Sequence, residues 1–442
     1  MTLPKNFTRR VDRSHRSYLR RLKRVEQAAQ ASRNPRRYMR EFLSAPEVHF
    51  SAASKALGHL SDQTREGVLS LAQELHPWNQ RSHRVEYFLK RKPNGDYRPI
   101  CDLPQYLAAQ HKLISHAIRA QMRPHPNLFG VAPPLSDEFR HTMPGNTGRE
   151  GAIGAIQDLL RSGYSHVVEV DIRDCFQSFN PRALYDLPLP DEVIRRLLDL
   201  RNIEFLLQNT SQTSQPGNTL GHQQEQLLVQ RDNIVGIPVG NTDGNPNGPR
   251  GLLQGSPVSS VILAFFLNQV LYELEIGDEA QCVVCFDNIV VASRTEAGLR
   301  RMTHALAVCL RQSCAGPFEL SDPVAPDPCG FRYMGYMIDS DGSSIRIDPD
   351  RLSKLEARLS DQESGLDGPV NPVRSLKSIR EFQAGFSAIT DPNEELGYFV
   401  DNTLFGYDDR PSLLTDLGMA LFAPQDTPER VHVNSLLKLY AS

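Results

Sequence analysis

The chain has 442 residues, 40% apolar and 23% charged, enough to bury a large core divided into two or three units. Its net charge of −3 hides an asymmetry: residues 1–40 hold 13 Lys/Arg against 2 Asp/Glu, a net of +11, which leaves −14 on the remainder. The apolar run Val261 to Leu267 (VILAFFL) is far too short to span a bilayer, no signal-peptide core is present, and the seven scattered cysteines do not read as a disulfide framework, so a cytoplasmic protein is expected.

In chain order, the first predicted element is a basic amphipathic helix. Arg9, Arg13, Arg16, Arg20 and Arg24 recur every three or four residues, with Val11, Tyr18, Leu22 and Val25 on another face. A cationic segment on an acidic body points to a phosphate-rich partner; a solvated charged face or a transit peptide are the other readings. Residues 41–80 are predicted largely helical, with Val68, Leu71, Ala72 and Leu75 on one buried face. RVEYFLKRKPNGDYRPIC (84–101) reads as a basic hairpin, followed by a helix over 105–122, a Pro/Gly-rich loop over 123–148 and a helix over 149–162. Residues 207–251, rich in Gln, Asn, Gly and Pro, read as a long insertion or mobile loop. Helices are expected over 257–275 and 295–313, FRYMGYMI (331–338) reads as a strand, and SDQESGLDGPVNP (360–372) marks a boundary before a helical C-terminal region.

Two strand-like stretches carry the candidate chemistry. VVEVDIRDCF (167–176) delivers Asp171 and CVVCFDNIVV (282–291) delivers Asp287. Two acids brought together from separate strands are the minimum equipment for holding a pair of Mg²⁺ ions over a nucleic-acid end. Alone, each is equally an ordinary strand-end acid. Cys282 and Cys285 form a CxxC with no second pair at zinc spacing, so they read as packed core thiols.

The ordered series KRKPNGDYRPI, VDIRDCFQSF, LLQGSPVSS, CFDNIVV and YMGY resembles the motif set of reverse transcriptases, in particular bacterial enzymes of the group II intron, retron and defence-associated types, over roughly residues 84–340. The resemblance implies an α/β (α+β) right-hand polymerase: a basic helical N-terminal extension (1–83), fingers and palm (84–340, with 207–251 inserted) and a helical thumb (341–442). It implies Asp171, Asp287 and Asn288 as catalytic residues, and Asp171, Asp287 and the carbonyl of Ile172 as ligands of Mg²⁺, with Mn²⁺ as a substitute. Arg91, Lys92, Arg98, Asp174, Phe176, Gln254 and Gly255 would bind the incoming nucleotide, Phe176 by excluding a 2′-hydroxyl. Tyr333, Met334, Gly335 and Tyr336 would hold the primer end, and Arg374 and Lys377 the duplex phosphates.

Two departures bear on the expected activity. Cys285-Phe286-Asp287-Asn288 stands where the family writes tyrosine-x-Asp-Asp, so a neutral amide replaces the second carboxylate, as in some viral RNA polymerases with Gly-Asp-Asn. Glu169, two residues before Asp171 on the same strand face, is a candidate compensating acid. ELSDPVAPDPCG (319–330) lacks the lysine that family members use to protonate pyrophosphate, and Leu253 replaces a usual proline. The expected function is RNA-directed DNA synthesis from dNTPs on an RNA template, with a DNA product and a dedicated noncoding RNA, in a bacterial retroelement-derived or anti-phage role. That role is argued by analogy from the lack of an evident nuclease, maturase or fused effector domain. The alternatives are a catalytically weakened polymerase fold acting as an RNA-binding scaffold, and a template-independent or RNA-synthesising polymerase.

Overall fold

The structure, a computed structural model, describes residues 5–31, 34–57, 65–78, 83–91, 97–130, 148–207, 251–274, 277–326, 330–363, 382, 386, 388 and 389. They form an α+β fold with helices packed around an antiparallel-rich sheet. The basic segment is one helix, α1 (Lys5–Gln30), followed by α2 (Pro35–Leu43), α3 (Pro46–Leu57) and α4 (Arg65–Glu74). Asn34 caps α2, accepting from the Arg36 N–H at 3.1 Å, with Pro35 pre-set for the first turn. Along α1 the charged face stays in solvent, while Tyr18, Leu22 and Val25 are buried in the same core as the rest of the molecule. Each such side chain contributes roughly 1.5–3 kcal/mol on full burial. The Tyr18 hydroxyl also hydrogen-bonds Nδ1 of His116 on α5 (Gln105–Arg119).

The expected hairpin is β1 (His83–Arg91) and β2 (Tyr97–Asp102), paired antiparallel with Arg91 opposite Tyr97. A strand that sequence reasoning did not expect, β5 (Ile203–Leu207), adds parallel to the other edge of β1. The segment read as an insertion begins where β5 ends, and 208–250 lie outside the described residues.

The central sheet has the order β3-β6-β7-β4, built from β3 (Leu128–Phe129), β4 (His166–Asp171), β6 (Ala280–Cys285) and β7 (Asn288–Ser293). Both faces are covered, which is why these strands read as nearly continuous apolar runs. Ile172, Cys282, Val284, Ile289 and Val291 enter one core, together with α7 (Ser259–Glu273). Val167, Val283, Cys285, Val290 and Ala292 enter a second, beneath α6 (Arg149–Arg161). Helix α8 (Glu296–Gln312), capped by Thr295, returns the chain along the sheet.

FRYMGYMI is not a single strand. It folds into two three-residue strands, β8 (Phe331–Tyr333) and β9 (Tyr336–Ile338), extended by β10 (Ile345–Ile347). Tyr333 pairs with Tyr336 around Met334 (φ 49°) and Gly335 (φ 90°), two successive positive φ values that give the tight turn suited to a twisted hairpin. Helix α9 (Pro349–Glu363) follows. In the C-terminal region Phe386 and Ile389 are buried in the second core, whereas the phosphate-contact candidates Arg374 and Lys377 lie outside the described residues. Among the described residues no helix is long and apolar enough to cross a membrane.

Candidate active site

Strand β4 pairs antiparallel with β7 from His166–Ser293 through to Asp171–Asn288. The last pair sets Asp171 directly across from Asn288, at the end where β6 turns into β7 through Phe286 and Asp287. Phe286 is a bulky residue at φ 58°, a conformation that costs energy and is kept where the surroundings impose it. The amide of Ile172 donates to the Asp287 carbonyl at 3.2 Å, joining the two acid-bearing segments beyond the last strand pair.

The electrostatics place both carboxylates over one neighbourhood. The Cys175 thiol is pushed well up by burial and then by the charges of Asp287 and Asp171. Tyr333 is raised by burial first, with Cys285, Glu169, Asp287 and Asp171 adding to it. Glu169, on the same strand face as Asp171, is pushed up to about 7 by burial and by the Asp171 charge. Asp171 is exposed, Asp287 and Asn288 are half-buried, and the Asn288 amide donates to an Asp287 carboxylate oxygen at 3.2 Å.

The donor set is hard oxygen: two carboxylates, an amide carbonyl and the Ile172 main-chain carbonyl. Among the described residues no group of three or more His, Cys, Asp or Glu side chains forms a self-sufficient metal cage. The hard-oxygen chemistry of that donor set fits Mg²⁺, which dehydrates reluctantly and is held by one or two carboxylates plus substrate phosphates. Cys282 and Cys285 are fully buried and enter opposite cores, so they cannot close on one ion; burial pushes both thiols up to about 12.

The nucleotide-binding candidates converge in part. After Asp171 the chain turns through Asp174 (φ 44°), whose carbonyl accepts from Gln177 and Ser178 at 2.8 Å and starts a single helical turn, Cys175–Ser178. Phe176 lies on that turn, partly buried against the first core. Its carbonyl accepts from the Leu252 N–H at 2.7 Å, drawing in the loop that carries Gln254 and Gly255. That loop is pinned from the other side, because the Cys101 N–H of β2 donates to the Gln254 carbonyl at 2.7 Å. Gly255 has φ 102°, and a Cβ there would stand 2.4 Å from the Cys101 carbonyl oxygen, so only glycine permits the approach. Arg91 and Arg98 lie at the turn end of the β1–β2 hairpin, and Lys92 falls in the turn, outside the described residues.

The hairpin carrying Tyr333, Met334, Gly335 and Tyr336 is tied to this centre. The Tyr333 hydroxyl donates to the Asn288 carbonyl at 3.5 Å, and the Tyr336 hydroxyl hydrogen-bonds Glu150 on α6. Arg149 pairs with Glu150 at 2.8 Å and lies 5.0 Å over the Tyr336 ring.

Three participants were missed from the sequence. Ser321, within the stretch noted for its missing lysine, accepts from the Asp171 N–H at 2.9 Å and returns its own N–H to the Asp171 carbonyl at 2.7 Å. Bridges between Glu169 and Val324 and between Ile172 and Leu320 lay this stretch along β4. The other two are Glu150 and His111. The imidazole of fully buried His111 contacts the Leu197 carbonyl and the Ser256 hydroxyl, each at 2.8 Å. A carbonyl only accepts, so Nε2 carries the proton and Nδ1 accepts from Ser256. Apart from the position of Ser321 in the singled-out stretch, no sequence signal marks these three.

No protein-family profile and no curated protein matches the chain. Among solved structures, it is similar to telomerase from Candida albicans in complex with a TWJ fragment of telomeric RNA, at 12% identity and TM-score 0.33, covering 81% of this chain and 66% of that one. It is also similar to apo telomerase from Candida tropicalis, at 12% identity and TM-score 0.36, covering 74% of this chain and 56% of that one. The C-terminally truncated form of that protein gives 11% identity and TM-score 0.36, covering 61% and 56%. The chain thus spans between 56% and 66% of the length of these telomerase chains.

Proposed function

We propose that the protein is an RNA-directed DNA polymerase that adds dNTPs to a 3′-hydroxyl. The observation that carries this reading is the meeting of Asp171 with the Asp287–Asn288 turn at one end of the central sheet, beside a Gln254–Gly255 loop locked to the β1–β2 hairpin. Asp171, Asp287 and the Ile172 carbonyl would hold Mg²⁺, or Mn²⁺ in its place, which when bound stabilises the deprotonating primer hydroxyl and the leaving pyrophosphate. The primer oxygen bonds to the α-phosphorus as the bond to pyrophosphate breaks. The hydroxyl proton would pass to water, and with no lysine in 319–330 the leaving pyrophosphate would take its proton from another residue or from water.

The chain's own residues position the reactants. Phe176, half-buried with its backbone fixed by Leu252, would set a wall under the sugar. Gly255 would let the backbone come close to nucleotide and template. Asp174 would lie near the triphosphate, and Arg91, Lys92 and Arg98 would meet its oxygens, where charge-assisted contacts are strongest. The hairpin Tyr333–Tyr336 would grip the primer end, and Arg374 and Lys377 would follow duplex phosphates. The motif series supports placing the protein among bacterial retroelement-derived or anti-phage enzymes, cytoplasmic and working with a dedicated noncoding RNA. Asn288, in place of a carboxylate, supports a second reading: a weakened polymerase fold that binds RNA as a scaffold.

The test is purified protein with primed RNA, primed DNA or no template, and dNTPs or NTPs, with Mg²⁺ or Mn²⁺. Incorporation of dNTPs on primed RNA, lost in Asp171→Ala, is expected. No incorporation under any condition supports the scaffold reading, and incorporation without template or from NTPs alone redirects the substrate assignment.

A further inference from the structure

Nine of the arginines near the N-terminus fall into two sets. Arg21, Arg36, Arg37 and Arg40 are neutralised within the protein, by Glu47, Asp191, Glu41 and Glu192. Arg9, Arg13, Arg16, Arg20 and Arg24 are exposed and form no ion pair among the described residues. These five share one face of α1, opposite the buried Tyr18, Leu22 and Val25.

Such a stripe opposes folding. Like charges at i,i+4 cost roughly 0.2–0.5 kcal/mol per pair, and Arg9–Arg13, Arg16–Arg20 and Arg20–Arg24 are such pairs. Burial of the opposite face outweighs that cost, so the helix forms in spite of the stripe. At its N-terminal end the stripe opens into a groove of about 640 Å³ lined by Arg9, Arg10, Arg13, Ser14, Pro46, Glu47 and Phe50. The Arg10 guanidinium lies 4.8 Å over the Phe50 ring, and the single acid of the lining, Glu47, is already paired with Arg21 at 3.7 Å. One arginine per helical turn, about 5.4 Å apart along the axis, is close to the spacing of successive phosphates on a nucleic-acid strand.

We propose that this groove and stripe form a second nucleic-acid site, which holds the phosphodiester backbone of a folded RNA independently of the primer terminus. Helix α1 packs on α2, α3 and α5 and contributes neither Asp171 nor Asp287, so this site and the chemistry sit on different elements. The choice of RNA over DNA rests on the polymerase reading above, in which the template extends well beyond the nucleotides at the acids. The backbone charge that the stripe would neutralise is common to both nucleic acids.

The test measures binding of an unprimed, labelled RNA stem–loop to the full chain in EDTA without dNTPs, so loss of the polymerase reading leaves it interpretable. The comparison is wild type against R9Q/R13Q/R16Q/R20Q/R24Q, glutamine being nearly as good a helix former as arginine. The variant should bind at least tenfold more weakly near physiological salt. Its slope of log affinity against log salt should be shallower by roughly four, about one per lost phosphate contact. R36Q/R37Q/R40Q, which removes ion-paired charges, should leave the slope nearly unchanged. Should the five-fold variant fail to fold, R13Q/R16Q should still lower the slope by about two. An unchanged slope, equal losses per charge in both sets, or tighter binding of a DNA hairpin of the same sequence would overturn the proposal.

Discussion

Asp171 and Asn288 face each other across the last rung of the β4–β7 ladder, so position 288 adjoins both acids. A carboxylate in place of Asn288 adds a hard, charged ligand and a like charge in the same place. Asn288→Asp is therefore expected to lower the Mg²⁺ concentration for half-maximal incorporation several-fold. In EDTA it should destabilise the fold by about 1 kcal/mol, less than one unit of carboxylate pKa. Parallel Mg²⁺ titrations and urea melts check this, and superimposable titrations would remove position 288 from the metal environment.

The loop at Gly255 depends on a backbone contact that no side chain allows. Gly255→Ala drives a Cβ to 2.4 Å from the Cys101 carbonyl at φ 102°, and something must shift. A loss of roughly 2–4 kcal/mol is expected, with a raised KM for dNTP as the loop leaves β2. Gly154→Ala on α6, where an added Cβ meets nothing, should be neutral or stabilising by up to about 1 kcal/mol. Equal stabilities of the two variants would refute the strain argument.

Phe176 is fixed at its backbone by Leu252 and only partly buried at its ring. Phe176→Ala should raise NTP incorporation relative to dNTP by at least tenfold if the ring walls off the 2′-hydroxyl. An unchanged ratio would leave it as a packing residue only.

Much of this arrangement was legible in the sequence, and the exceptions have physical causes. The acid-bearing strands announced themselves because both faces are covered, giving apolar runs, interrupted in β4 only by Glu169, that end at Asp171 and before Asp287. The buried stripe of α1 was legible from its spacing. Strand β5 was not, because IEFLL is followed by a polar tract and is held only by pairing with distant β1. The β8–β9 turn was masked by aromatic residues on both sides, and only Gly335 hinted at it. Ser321 meets Asp171 through isolated bridges, which have no periodicity to detect.

His111 gives a pH dependence with a definite sign. Burial, first of all, lowers its pKa to about 4 while it bridges α5 to Leu197 and Ser256. His116 is lowered to about 4 by burial and then by Arg119, Lys112 and Lys55. Below about 6.5 the unfolded chain takes up protons that the folded chain refuses. The contribution of His111 is therefore complete above pH 6.5 and is lost as pH falls toward 4, by on the order of 3 kcal/mol, while Glu169, raised to about 7, acts in the opposite sense as pH falls. Urea melts at pH 7.5, 6 and 5 should show His111→Gln less stable than wild type at pH 7.5, with the difference shrinking as pH falls. A difference between wild type and His111→Gln that does not change with pH would contradict the neutral buried imidazole.

The Tyr333–Tyr336 hairpin is held at two points with separable consequences. Tyr333 reaches the Asn288 carbonyl, whereas Tyr336 reaches Glu150, itself paired with Arg149. Tyr333→Phe keeps the ring in the second core and removes one long hydrogen bond, so at most about 1 kcal/mol of stability should be lost. If the hairpin sets the primer end against the acids, Tyr333→Phe should lower kcat with little change in dNTP KM, because the bond lands on the turn that carries Asp287. Glu150→Gln retains an acceptor for Tyr336 but loses the charge opposite Arg149, so it should raise the KM for primer–template and leave kcat closer to wild type. Steady-state kinetics with each substrate varied separately will distinguish the two. Identical kinetic signatures for both variants would mean that the hairpin moves as one body and that neither hydroxyl has its own role.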